Sequence, residues 1–283
     1  MKWVKLEDLP GQKIDSQEYG FNYWKIEDGY VWHQGRKLRK ADTETFEVRK
    51  DHCQIFIARD KENVFYAWTL EKGIDRDSFQ GVGNGYWKDC NFAYCEHETS
   101  IKPLKGEDSK NFKSVGGPYA RDSKFAYYGG RPLKNCQDPL KLAMIVKGNS
   151  WYAGDGTTIY YDGAEIKGAN CSTWKLIEGG FSRDNNSVYF GSKKLPRVNI
   201  DSWKVLTGSY SSDGISLYHM NFKVKGADPT TWKFLENDYS KDHINVYFCG
   251  RIIEGADPES FKVTGERSGK DEFSNYNGGA KES

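Results

Sequence analysis

Phe181-Ser-Arg-Asp184-Asn-Asn-Ser-Val188-Tyr189-Phe190-Gly191 is answered further along by Tyr239-Ser-Lys-Asp242-His-Ile-Asn-Val246-Tyr247-Phe248-Cys249-Gly250. Both run aromatic, Ser, base, aspartate and a polar stretch, then a β-branched residue, two aromatics and a turn. Anchored on the aspartate, the unit recurs at Asp28, Asp60, Asp89, Asp122, Asp155, Asp184, Asp213 and Asp242, with separations of 32, 29, 33, 33, 29, 29 and 29 residues. A fixed period in this range marks a repeat architecture, in which each unit packs on its neighbours and the array need not split into ordinary domains.

One copy, residues 239–264, shows the local logic. Tyr239-Ser-Lys reads as a strand that ends at Asp242, whose carboxylate can bond the backbone two residues on and so favours the polar turn over 242–245. Val246-Tyr-Phe is a second strand, rich in β-branched and aromatic residues. Cys249-Gly250 is an X-Gly turn, of which Asp162-Gly163 is the stronger form, and Arg251-Ile-Ile is a third strand. In Gly255-Ala-Asp-Pro-Glu-Ser-Phe261, Asp257 suits an N-cap and Pro258 the first helical position, giving one short helical turn that presents Phe261 to the core. Gly226-Ala-Asp-Pro-Thr-Thr-Trp232 repeats it. The expected fold is all-β, three-stranded antiparallel units of about 29–33 residues, each with a short helical turn, stacked as an open solenoid-like array. A closed propeller is the alternative, placed second because its blades use four strands and repeats of about 40 residues or more.

Two aromatic columns recur. Five residues after the aspartate stand Phe65, Tyr94, Tyr127, Tyr160, Tyr189, Tyr218 and Tyr247, with Trp32 one residue early in copy one. The turn aromatics are Phe46, Phe79, Phe112, Trp174, Trp203, Trp232 and Phe261, with Leu140 in copy four. One ring per unit at one position is expected to stack into a ladder. Residues 1–23 read as an N-terminal cap, 24–264 as the eight-repeat array, and 265–283 as a half-repeat cap and tail. In that tail Lys270-Asp271, Tyr276 and Gly279 continue the pattern around a polar strand.

Composition narrows the function classes. Aromatics make up 15% of the 283 residues, which suits a strand-built core. The formal net charge of +1 argues against nucleic-acid or anionic-membrane binding driven by bulk charge. The run Arg36-Lys37-Leu38-Arg39-Lys40 reads as a solvated strand edge. The opening MKWVKLEDLPGQKID holds no apolar core of signal-peptide length, and no run reaches the roughly 18 apolar residues of a membrane span. Cys53, Cys90, Cys95, Cys136, Cys171 and Cys249 fall at different repeat positions, which favours reduced thiols and a cytoplasmic location over a disulfide framework.

The Lys/Arg-Asp, Asn, Val-Tyr-Tyr/Phe sequence resembles the bacterial DKNYY repeat family. The pattern is best kept at Asp122…Tyr127-Tyr128, Asp155…Tyr160-Tyr161, Asp184-Asn-Asn…Tyr189-Phe190, Asp213…Tyr218 and Asp242…Tyr247-Phe248, within a likeness spanning about residues 24–280. The resemblance implies little chemistry. Members look like companions of bacterial toxins, which implies an immunity role.

Candidate chemistry is sparse. The repeated aspartates come one per copy, generally beside a Lys or Arg, whereas calcium needs six to eight oxygens, so they read as turn caps paired with that base. Cys90, Cys95 and His97 are close in sequence but supply neither a fourth zinc ligand nor good spacing. Of the five histidines, His33, His52, His97, His219 and His243, two (His33 and His219) take aromatic positions and read as ring substitutes. No nucleophile motif or phosphate loop is present. No catalytic residue, metal or other cofactor is expected. Copies two and three depart most from the pattern, with Ala67-Trp68-Thr-Leu and Glu96-His97-Glu98-Thr99. Such departures can mark a site, with drift as the competing reading. Trp68 and Trp87 are the expected partner-binding anchors and Glu96, His97 and Glu98 the expected polar contacts. The expectation is a monomeric, non-enzymatic binding protein whose partner is a cognate protein toxin, with no nucleic acid or membrane involved. The alternative is a glycan- or small-ligand-binding module using rings outside the columns, Trp68, Trp87 and Trp151. An enzyme remains a third class only if carboxylates from separate repeats share a pocket.

Overall fold

Short strands of two to six residues alternate with glycine-rich turns along the whole chain. The structure is a computed structural model and describes residues 3–15, 22–49, 56–98, 100–105, 108–146, 148–149 and 151–282. It is all-β, built from small antiparallel sheets in tandem, as the period predicts. Tyr239–Lys241, Val246–Phe248 and Arg251–Ile252 are the three strands of the motif, and Lys233–Phe234 is a fourth that pairs with the first of them. Each sheet thus carries one strand more than the motif reading counts. The extra strand is only two to four residues long and sits directly after the turn aromatic. Two residues cannot display an alternation, so the strand is invisible to pattern reading.

The chain divides into two compact units, Met1–Asp155 and Gly156–Ser283. The first holds four sheets, and Ala143–Met144 paired with Tyr152–Gly154 closes it. The second opens with Ile159–Tyr161 paired to Ala164–Glu165 and continues through four sheets. Its last sheet, Lys262–Val263, Ser268–Lys270, Asn275–Asn277 and Ala280–Lys281, is complete, so the end of the chain is a full repeat and not half of one. At the other end, Trp3–Lys5 adds a fifth strand to the second sheet through Glu47–Arg49, and Lys13–Asp15 opens the first sheet. The segment expected to be a cap is therefore woven into two sheets.

Asp138 caps the single 3₁₀ turn Pro139–Lys141 by accepting from the Leu140 amide at 3.1 Å. In later copies the same stretch is a lone turn closed by Trp232 N–H to Asp228 C=O and Phe261 N–H to Asp257 C=O, both at 3.1 Å. In copy four Leu140 is 54% exposed while Leu142, directly before the strand, is buried. Leu142 fills the turn-aromatic slot, because the register follows the strand.

The core lies between consecutive sheets. Tyr239, Val246, Ile253 and Phe261 of one copy surround Tyr276 of the next, and Phe181, Val188, Leu195 and Trp203 likewise surround Tyr218. Ring contacts run through the turn aromatic. Tyr86 meets Phe112 at 5.6 Å and Phe112 meets Tyr127 at 5.9 Å, while Tyr239 meets Phe261 at 5.5 Å and Phe261 meets Tyr276 at 5.8 Å. The expected ladder is corrected accordingly. Phe65, Tyr94, Tyr127, Tyr160, Tyr189, Tyr218 and Tyr247 are all buried, but the turn aromatic is the wedge that joins one sheet to the next. Trp32 leaves the column altogether. It is half-buried and donates to the Glu27 carbonyl at 3.1 Å, because copy one turns tightly on Asp28-Gly29 and Asp28 stays exposed.

Candidate functional site

The repeated aspartate has one structural job, done in full at Asp89, Asp122, Asp213, Asp242 and Asp271. In copy eight, Asp242 Oδ1 accepts the Ile244 and Asn245 amides at 2.8 and 2.7 Å. Its Oδ2 accepts the Tyr247 hydroxyl at 2.7 Å and the Asp228 amide, fourteen residues upstream, at 2.8 Å. One carboxylate therefore ties the hairpin turn, the buried tyrosine and the preceding turn together. Asp89, Asp122, Asp213 and Asp271 repeat all four bonds. Asp60, Asp155, Asp184 and Asp213 are buried in the same place. Burial works to raise the pKa values of Asp184, Asp213, Asp242 and Asp271, yet the amide and tyrosine donors outweigh it and hold all four below the usual carboxylate value. The base before the aspartate points elsewhere, so the expected pairing is corrected. Lys241 Nζ donates to the Pro258 carbonyl at 2.6 Å, and Lys88 reaches the Ser109 and Phe112 carbonyls at 3.3 and 3.4 Å. Each cation thus serves the carbonyl end of the next turn, where positive charge is favoured.

The five residues expected to meet a partner separate into two groups. Trp87 is fully buried and cannot anchor a partner. It stacks on Phe79 with centroids 4.9 Å apart and planes within 9°, and its Nε1 donates to Glu96 at 2.6 Å. Glu96 is therefore an internal acceptor, and its burial raises the carboxyl pKa against the opposing Trp87 bond. Behind them runs an interleaved stack. The Arg59 guanidinium lies 4.4 Å from the Trp3 ring, and buried Arg49 lies 5.5 Å from Trp3 and 5.4 Å from Trp87. Trp3 and Arg49 are functional to the fold and escape a reading based on repeats, since neither occupies a repeat column. His97 and Glu98 are exposed, and Trp68 is half-buried under the Arg36 guanidinium at 4.1 Å. Of the five, Trp87 alone is buried, and Glu96, like Trp68, is half-buried. Thr99, His52 and Cys53 lie outside the described residues.

His33 and His219 do stand in for rings. His33 lies 4.4 Å from Trp24 and 5.8 Å from Phe56, and burial pushes its pKa down to about 4. His219 lies 4.4 Å from Tyr210 and is pushed down for the same reason. Cys95 is buried and its thiol is pushed up to about 11, which makes it a poor nucleophile, while Cys90 is exposed. Among the described residues no three His, Cys, Asp or Glu side chains gather to hold a metal ion. No helix among them is long and apolar enough to cross a membrane.

A developed hollow lies elsewhere, within the Gly156–Ser283 unit. Two adjoining hollows of about 550 and 400 Å³ share Phe222, Arg251 and Ile252. Met220, Cys249 and Arg267 line the first, and Lys223, Lys225 and Glu254 the second. Lys223, Lys225 and Arg251 are exposed and make no ion pair among the described residues. Arg267 rests on the Phe248 ring at 5.5 Å. Met220 and Phe222 are 41% and 36% exposed, so apolar surface and uncompensated positive charge meet here. Gly250 holds the close approach of the two turns. It has φ +71°, and a Cβ there would meet His219 Cβ at 2.7 Å.

The model of the DKNYY family matches residues 2–98 and 152–279. Comparison with curated proteins and with solved structures returns no match. The unmatched stretch still carries the repeat in three dimensions, because Asp122 makes the same four bonds there as Asp242 does further on.

Proposed function

This chain belongs to the DKNYY family, and from that premise we propose that it is a non-enzymatic, protein-binding repeat protein that acts in the cytoplasm of a bacterium. Its role in this reading is immunity: it neutralises a cognate toxin by covering the toxin's active site. One observation carries the protein-binding part. The hollow around Phe222 and Arg251 combines exposed apolar side chains with Lys223, Lys225 and Arg251, which make no ion pair among the described residues. Aromatic and arginine side chains of this kind dominate the energetics of protein interfaces. Chemistry finds less support, since the repeat carboxylates are consumed in holding turns and two of the histidines, His33 and His219, sit among rings. The immunity role itself rests on analogy with the family.

The test is affinity capture of the tagged full-length chain from its native cell lysate, read by mass spectrometry. A single stoichiometric partner that carries a toxin domain, and whose activity the purified chain abolishes, is the expected result. Retention of nothing at physiological salt from cells shown to express the neighbouring genes would overturn the reading. Trp151, 49% exposed, favours glycan binding as the second reading. Tryptophan fluorescence during sugar titration separates the two, because a protein binder leaves the signal unmoved.

A further inference from the structure

Seven residues after the repeat aspartate the chain enters the left-handed region in nearly every copy. The occupants are Gly129 at φ +54°, Asp162 at +51°, Gly191 at +55° and Gly278 at +57°. Glycine and aspartate tolerate this conformation, whereas a bulky side chain is strained by it. Ala67 of copy two departs from the rule at φ +51°, and in the second unit two larger side chains do so, Met220 at φ +52° and Cys249 at φ +49°. Both side chains line the hollow that holds Arg251 and Arg267. Strain that the surrounding fold holds in place is a pointer to function when it coincides with a cleft. Here the two observations are independent, since one is backbone geometry and the other is unpaired charge beside exposed apolar area.

We infer that this groove receives an extended, acidic segment of a protein partner. Arg251, Arg267, Lys223 and Lys225 take its carboxylates, and Met220 and Phe222 take an apolar side chain between them. The inference deepens the protein-binding reading and rests on it. The charge pattern selects a polypeptide over a nucleic acid. Glu254 stands on the rim and Ile252 and Met220 in the wall. A continuous phosphate backbone would meet a repelling carboxylate and apolar surface, whereas a peptide alternates charged and apolar side chains. Phe222–Lys223 and Arg251–Ile252 are also the edge strands of their sheets, and edge strands offer unpaired backbone groups to an added extended chain.

The experiment selects a displayed library of random twelve-residue peptides on the full-length chain and on its Arg251→Glu/Arg267→Glu variant. Both arginines are exposed, and circular dichroism checks that the variant folds. The expected pool is rich in Asp and Glu interspersed with apolar residues, binds the parent at least tenfold more tightly than the variant, and weakens as salt is raised. Met220→Gly is the second probe. It is expected to raise the melting temperature and lower the peptide affinity several-fold. A residue with a merely structural role would move the first and leave the second. A pool without acidic enrichment, peptides that bind the charge-reversed variant equally well, or a twelve-nucleotide oligothymidylate that outcompetes the peptides each overturn the inference. The two readings fail separately. A toxin captured equally by parent and variant sinks the groove alone, whereas capture of nothing sinks protein binding as a whole.

Discussion

The two units obey the same repeat rule, and each breaks it in a different place. In Met1–Asp155 the largest exception turns inward, although Trp68, His97 and Glu98 stay at the surface. Two residues before the aspartate other copies carry Ala58, Ala120, Ala153, Ser182, Ser211 and Ser240, and copy three has Trp87. That ring is swallowed by Phe79, Arg49 and Glu96. In Gly156–Ser283 the exceptions turn outward, at Met220 and Cys249, beside Arg251, which makes no ion pair among the described residues. Departure from a repeat is thus not by itself a mark of function. An inward exception is answered by other residues of the same chain, and an outward one awaits a partner.

The sharpest way to break this comparison is to restore the rule on the inside. Trp87→Ser gives copy three the residue that copies six to eight carry. If Trp87 belongs to an interlocked interior, the change empties a ring-sized space and destabilises the chain by about 3–5 kcal/mol, measured by urea denaturation. A neutral or stabilising result would show that the column, and not the stack with Phe79, sets the packing.

Acid titration probes the buried imidazoles next. His33 binds its proton near pH 6.5 when unfolded but only near 4 when folded. The unfolded state therefore holds more protons in that window, and stability falls by up to about 3 kcal/mol as the pH drops from 6.5 to 4. Asp184, Asp213, Asp242 and Asp271 act in the next window down. Their folded pKa values are depressed, so their contribution is full above the ordinary carboxylate range and is lost as the pH falls through and below it. His33→Phe should flatten the upper slope of stability against pH and leave the lower one.

Tyr247→Phe keeps the ring and removes one bond to a charged acceptor, for a loss of about 1.5–3 kcal/mol. The same change at Tyr127 in the other unit should cost a similar amount, because the Asp122–Tyr127 bond of 2.8 Å matches Asp242–Tyr247 at 2.7 Å. Unequal losses by thermal denaturation would mean that the two units do not share one design. The smallest effect expected is a gain. Met220→Gly relieves a left-handed side chain and should stabilise by about 1 kcal/mol.

Much of the fold was legible because a period of 29 residues repeats it often enough to average out local noise. The strand after the turn aromatic was not legible, since two residues carry no periodicity. The tyrosine column was visible, but its meaning was not. Five residues of spacing say that two side chains recur together, and only the fold shows the hydroxyl meeting the carboxylate. Leu140 was taken for Leu142 because a lone leucine carries no signal of which way it faces. The site fared worse. Trp87 looked like a surface anchor because it lay outside the two aromatic columns. Its place among Ala and Ser was the available warning, since a large ring in a small-residue column needs a neighbour that makes room. Met220 and Cys249 stood in a column of Gly, Asp and Ala, a signal that needs the backbone angle to be read as strain.

The buried aspartates also change what the net charge means. The chain has 41 Lys and Arg against 40 Asp and Glu. Eight of the acids, Asp60, Asp89, Asp122, Asp155, Asp184, Asp213, Asp242 and Asp271, are enclosed. Setting those eight and buried Arg49 aside leaves 32 acids to face 40 bases, so the surface is more basic than the whole chain. An ion-exchange resin, which touches only the outermost shell, meets a more basic particle than the sequence pI of 7.5 describes. Retention on a cation exchanger near that pH, lost when the chain is unfolded in urea, would be the chromatographic signature of a turn-holding carboxylate repeated eight times.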